Sequence, residues 1–76
     1  MSGAIQQSVR ACVQAYFRDL GDAEPARLYE MVLRAAEQPL LDVVMQHAGG
    51  NQSRAAQWLG LNRNTLRKKL QEHGLL

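Results

Sequence analysis

Residues 49–74 read GGNQSRAAQWLGLNRNTLRKKLQEHG, and glycine and asparagine punctuate this stretch three times. Gly49-Gly50 ends the helix before it, because glycine reaches left-handed backbone angles at little steric cost. Asn51 then offers a side-chain oxygen to the free N–H groups of a new helix, Gln52–Leu59. Gly60 closes that helix and Leu61 leads on. Asn62 caps a further helix, which runs from Arg63 to about His73 before Gly74 stops it. Two short helices joined by a turn of about three residues form a helix-turn-helix.

At about 100° per residue, Leu66, Leu70 and His73 share one side of the last helix. They should face the body of the protein together with Leu59, Leu61 and Ala55 or Ala56. Asn64, Lys68 and Gln71 lie opposite, flanked by Thr65 and Glu72 on one side and Arg67 on the other. A basic, amide-rich face opposite an apolar one is the chemistry that reads duplex DNA: Arg or Lys meets guanine, and Asn or Gln meets adenine. The N-terminal part of such a helix enters the major groove. Asn62, Arg63, Asn64 and Lys68 are therefore placed for bases, and Arg67 and Lys69 for phosphates. The start of the preceding helix, with Asn51, Gln52, Ser53 and Arg54, offers N–H groups and a cation to another phosphate. A charged helix face is often merely solvated. Here the basic charge is confined to the helix-turn-helix and interleaved with amides, which favours nucleic acid.

Upstream, Ile5, Val9, Cys12, Val13, Tyr16, Phe17 and Leu20 form one helical stripe, predicting a helix over about 5–20 that Gly21-Asp22 ends. A longer helix is predicted from about Pro25 to Ala48, with Asp22 or Glu24 favouring its start. Pro39 should kink it near residues 35–39 without dividing it, because the apolar pattern continues across the proline. Leu28, Val32, Ala35, Ala36, Pro39, Leu40, Val43 and Val44 make one stripe, while Met31, Leu33, Leu41 and Met45 fall off it. A helix apolar on more than one side is buried on more than one side. A chain of 76 residues can hardly supply that cover alone, whereas a symmetric dimer can.

That length allows one domain. A single cysteine, Cys12, precludes an intramolecular disulfide, and Cys12, His47 and His73 lie too far apart in sequence to suggest zinc. No metal or other cofactor is expected. Residues 1–50 carry four arginines against six acids, net −2; residues 51–76 carry five cations against Glu72, net +4; together they give the chain's +2. A basic C-terminal third on a near-neutral body points to an anionic partner. No signal peptide or membrane span is read, and the lone cysteine suits a reducing cytoplasm. With no nucleophile–base pair, phosphate loop or supported acid pair, enzyme activity is not expected.

The run from Gly50 to Leu70 closely resembles the helix-turn-helix of the bacterial Fis family (factor for inversion stimulation), and is similar to the DNA-binding domain of NtrC-type enhancer-binding proteins. Glu37-Gln-Pro-Leu-Leu-Asp42, Val44-Met-Gln46 and Leu28-Tyr-Glu-Met-Val-Leu33 resemble Fis more specifically, and the likeness spans about Ser8–Leu76. It implies an all-α, four-helix protomer, one domain over 1–76. Helices over 5–48 intertwine into a homodimer core, and a helix-turn-helix over 51–74 forms the reading head. Val32, Leu40, Val43 and Val44 then belong to the dimer core. It implies a nucleoid protein that bends duplex DNA and regulates transcription, with RNA polymerase or other DNA-bound regulators as further partners. Matched position by position, DNA bases fall to Asn62, Arg63 and Lys68. The DNA backbone falls to Asn51, Ser53, Arg54, Thr65, Arg67 and Lys69.

Three departures from the enteric members carry expectations. Their N-terminal arm touches a DNA invertase, and this chain begins where that arm would end, so the resemblance leaves stimulation of inversion open. Gln71 and Glu72 replace lysines, which should weaken binding and flatten its salt dependence. Asn64 replaces a glycine, which should alter base preference nearby. Cys12 is expected to be buried and inert, and Trp58 to pack in the core. Tyr16, Phe17 and Tyr29 should serve the core or a dimer interface. His47 and His73 suit helix C-termini. The competing reading is a helical dimer whose basic face docks an acidic protein. A domain cut from an enhancer-binding protein is disfavoured by Met1 and by the Fis-like first two helices.

Overall fold

The computed structural model describes residues 2–76, Ser2 as backbone alone. Four α-helices follow one another, α1 (Ser2–Leu20), α2 (Leu28–His47), α3 (Gln52–Leu59) and α4 (Arg63–Glu72), and no strand occurs among the described residues. The order and the all-α class match the reading of the sequence. Two boundaries differ. α1 starts at Ser2, three residues before the apolar stripe. α2 starts at Leu28, so Pro25 lies in the connector and not in the first turn.

The late start of α2 has a local cause. Arg27 holds a left-handed conformation (φ 55°), so the backbone cannot enter the helix before it. Neither Asp22 nor Glu24 caps α2; the cap residue is Arg27, and no side chain bonds the free N–H groups. A non-glycine residue in this region costs on the order of 1 kcal/mol. The Arg27 guanidinium donates to Glu30 Oε2 at 2.8 and 3.0 Å. Both partners are exposed, so this pair offsets little. Further along, α2 passes through Pro39 as one helix. It ends where Gly49 and Gly50 take positive φ (62° and 80°), which lets the Gly50 N–H reach back to the Met45 carbonyl at 3.0 Å.

The core lies between the C-terminal half of α2 and the pair α3–α4. Leu41, Ala48, Ala55, Ala56, Leu66 and Leu70 are buried, with Val44, Met45, Leu59 and Leu75 packed against them. Leu41 and Met45, which fall off the main stripe of α2, make the face that grips the helix-turn-helix. Full burial of Leu41, Leu66 and Leu70 is worth about 1.5–3 kcal/mol for each side chain. The opposite side of α2 is uncovered within the chain, with Leu40 52% and Val43 51% exposed.

α1 contributes nothing to this core. Between it and the N-terminal half of α2 runs an apolar groove of about 530 Å³, lined among others by Val9, Cys12, Val13, Tyr16, Val32 and Pro39. The radius of gyration is 14.9 Å, against about 11 Å for a compact chain of this length. Two expectations of burial are therefore corrected for the single chain. Cys12 is exposed, because the groove it lines is open. Trp58 is 56% exposed; it lies one turn beyond Arg54, on the outer side of α3, while Ala55, Ala56 and Leu59 turn inward. Tyr29 and Phe17 also stand exposed, Phe17 edge-on to Tyr16 with ring centroids 5.9 Å apart.

Candidate nucleic-acid interface

α3 and α4 are both started by asparagine caps. Asn51 Oδ1 accepts from the Arg54 N–H at 3.0 Å, and Asn62 Oδ1 accepts from the Asn64 N–H at 2.8 Å. Between them Gly60 adopts φ 74°, so the Leu61 N–H reaches the Ala56 carbonyl at 2.9 Å. A side chain at Gly60 would be strained by that φ alone. The turn brings Ala55 and Ala56 of α3 against Leu66 and Leu70 of α4, and the small alanines let the two helices approach closely.

With its apolar side fixed, α4 presents Arg63, Asn64, Thr65, Arg67, Lys68 and Gln71 to solvent. Asn51, Ser53 and Arg54 are exposed at the start of α3, and Asn62 at the turn. Eight of the nine residues assigned to DNA from the sequence thus lie on accessible surface of one unit. Among the described residues, the side chains of Arg54, Arg63, Arg67 and Lys68 have no intramolecular hydrogen bond or ion pair. The two caps have a chemical consequence. Each asparagine oxygen already accepts a backbone N–H, leaving the Nδ2 group as its freer donor. A lone donor suits a phosphate, or one acceptor on a base edge, better than the two-bond pairing with adenine.

Lys69 is the exception. Its Nζ donates to Glu37 Oε2 of α2 at 2.8 Å, and the other oxygen of that carboxylate lies 2.8 Å from His73 Nε2. One turn earlier on α2, Arg34 Nη2 donates to the Glu72 carbonyl at 3.0 Å, satisfying a carbonyl that the end of α4 leaves free. Glu37 and Arg34 thus clasp the end of α4 opposite its asparagine cap. Neither was singled out from the sequence. The signal was a polar extension of the gripping face: Arg34, Glu37, Leu41, Met45 and Ala48 are spaced 3, 4, 4 and 3 along α2.

The hydrogen bond from Lys69, then that from His73, holds the Glu37 carboxyl below its usual value, against the opposing effect of burial. The hydrogen bond to Glu37 raises the Lys69 ammonium above its own. The lowered carboxyl contributes stability that is present above its usual value of 4.5 and is lost as pH falls through the lower, folded-state value. The raised ammonium contributes stability that is lost only above its usual 10.5.

A family profile described as "Bacterial regulatory protein, Fis family" matches residues 32–73. The chain is 56% identical over 72 residues to a Fis-like DNA-binding protein of Ralstonia nicotianae, covering 95% of this chain and 94% of that one. Against a Fis-like DNA-binding protein of Neisseria meningitidis serogroup B it is 57% identical over 72 residues, covering 95% and 91%. Against the DNA-binding protein Fis of Proteus mirabilis it is 51% identical over 71 residues, covering 93% and 72%.

The clasp makes a test independent of any ligand. At neutral pH the wild type should melt above Glu37→Gln, and the gap should close as pH drops below 4.5. A gap that does not change with pH in thermal melts would show that the ionised carboxylate adds nothing.

Proposed function

The chain belongs to the Fis family of bacterial regulatory proteins, and from that membership we propose that it binds duplex DNA as a homodimer, bends it and regulates transcription on the bacterial nucleoid in the cytoplasm. The observation that carries the reading is the capped helix α4, with Leu66 and Leu70 wholly buried on one side and Arg63, Arg67 and Lys68 exposed on the other. Arg63 and Lys68 read base edges in the major groove, and Asn62 adds a donor at the same end. Asn51, Ser53, Arg54, Thr65 and Arg67 hold phosphates. Residues 51–74 act as the reading head and residues 5–48 as the dimerisation part of one domain.

A second copy of the chain fills the α1–α2 groove and covers Leu40 and Val43. Val32 lines that groove, while Val44 packs against the helix-turn-helix cluster of its own chain. Successive major grooves on one face of straight DNA are about 34 Å apart. Two chains this small hold their reading heads closer than that, so the DNA curves or its central minor groove narrows. Bending by tens of degrees costs a few kcal/mol, least at flexible pyrimidine–purine steps. Affinity then depends on A/T content at bases that no side chain touches.

Mobility shift on duplex DNA at several salt concentrations tests the central claim. Arg63→Ala should cost about 1–3 kcal/mol on a preferred site and relax base preference, whereas Arg67→Ala should weaken all sequences alike and lower the salt slope by about one per protomer. Equal behaviour of the two variants on preferred and random duplexes would remove the division into readers and clamps. Sedimentation at micromolar concentration should give twice the 8.5 kDa chain mass; a folded monomer would refute the dimer. In circularly permuted fragments, migration should be slowest with the site central, and position-independent mobility would refute bending.

A further inference from the structure

We propose that Glu37 withholds Lys69 from DNA, so that of the two lysines on the reading helix only Lys68 is offered to the ligand. Lys68 and Lys69 are adjacent and are the chain's sole lysines, yet their surroundings differ. Lys69 lies roughly 60° around the helix from Leu66, at the edge of the buried face, and Lys68 lies well outside it. The Lys69 side chain retains 32% of its exposure and that of Glu37 28%, with Nζ and Oε2 2.8 Å apart. The carboxylate is fixed from its other oxygen by His73, whose side chain is 4% exposed. Burial at this edge limits solvent screening of the pair, and the raised Lys69 ammonium and lowered Glu37 carboxyl agree with a formed contact.

A phosphate competing for Lys69 would have to draw the ammonium from a carboxylate that is already oriented, and leave that carboxylate partly buried without its cation. The partial burial and the bond from His73 to the other oxygen oppose that exchange. Arg67 and Lys68, which have no side-chain partner among the described residues, face no such competition. Glu37 thereby sets how many cations the reading head brings to DNA. It is a positioning residue on a helix that does not itself touch the ligand, and removing its charge should add one phosphate contact per protomer.

The inference rests on the DNA-binding reading, and the experiment separates the two. Wild type, Lys69→Ala, Glu37→Gln and the double variant are titrated on a random duplex across a range of salt. In parallel, acylation of Lys68 and Lys69 by acetic anhydride in the DNA-free protein is followed by fragment mass spectrometry. Withholding requires that Lys69→Ala leave the wild-type salt slope unchanged. It requires that Glu37→Gln steepen it by about 0.9 per protomer, roughly a threefold greater loss of affinity per protomer over a fourfold rise in salt, and that the double variant abolish the gain. In the free protein Lys69 should acylate several-fold more slowly than Lys68, and Glu37→Gln should equalise them. A shallower slope in Lys69→Ala, an unchanged slope in folded Glu37→Gln, or equal acylation in the wild type would each overturn it. If Glu37→Gln does not fold, Lys69→Ala and the wild-type acylation ratio decide. If no variant binds duplex DNA, the DNA reading fails, and acylation alone decides whether Glu37 holds Lys69.

Discussion

The contact on which the rest of the structure depends is the packing of Leu41 and Met45 of α2, and of Ala48 just after it, against Ala55, Ala56, Leu66 and Leu70. It settles which side of α4 faces inward, and therefore which side chains are left outside. A helix held only by apolar contact can still roll about its axis. Here the polar residues one and two turns earlier on α2 oppose that motion: Arg34 bonds the last carbonyl of α4, and Glu37 bonds Lys69 and His73. Hydrophobic burial places the helix and directional hydrogen bonds orient it. Base recognition needs both, because hydrogen bonds to base edges tolerate only small angular errors.

The N-terminal half poses the opposite problem. α1 finds no buried position in its own chain, and the apolar groove beside it is open. Leu40, Val43, Phe17 and Ile5 are exposed as well. This is the surface that the proposed second copy would cover. The two halves thus differ: the helix-turn-helix is packed against the C-terminal half of α2, whereas the groove between α1 and α2 stays uncovered in the single chain.

Much of this was legible in the sequence. Gly49-Gly50, Asn51, Gly60 and Asn62 fixed the ends of α3 and α4, because capping and left-handed turns are local chemistry that distant contacts seldom override. The start of α2 was not legible. A proline and two acids upstream look like a helix start, but nothing in the string signals that Arg27, directly before Leu28, takes the left-handed conformation. Trp58 and Cys12 stand exposed in the single chain, Trp58 because it lies on the outer side of α3 and Cys12 because the groove it lines is open. The exposed faces of the candidate site followed from helical periodicity. The Glu37–Lys69 contact did not, since the two residues are 32 positions apart and their pairing depends on how α2 crosses α4.

The exposure of Trp58 has an optical consequence. It is the chain's single tryptophan, while both tyrosines, Tyr16 and Tyr29, belong to the N-terminal half. Excitation at the red edge of the aromatic band selects the indole alone, so emission reports the outer side of α3, one turn from Arg54, with no contribution from α1 or α2. A water-exposed indole emits far to the red, and any surface that closes over it shifts that emission to the blue. The protein carries its own fluorophore for events at the helix-turn-helix, spectrally separate from those of the N-terminal helices.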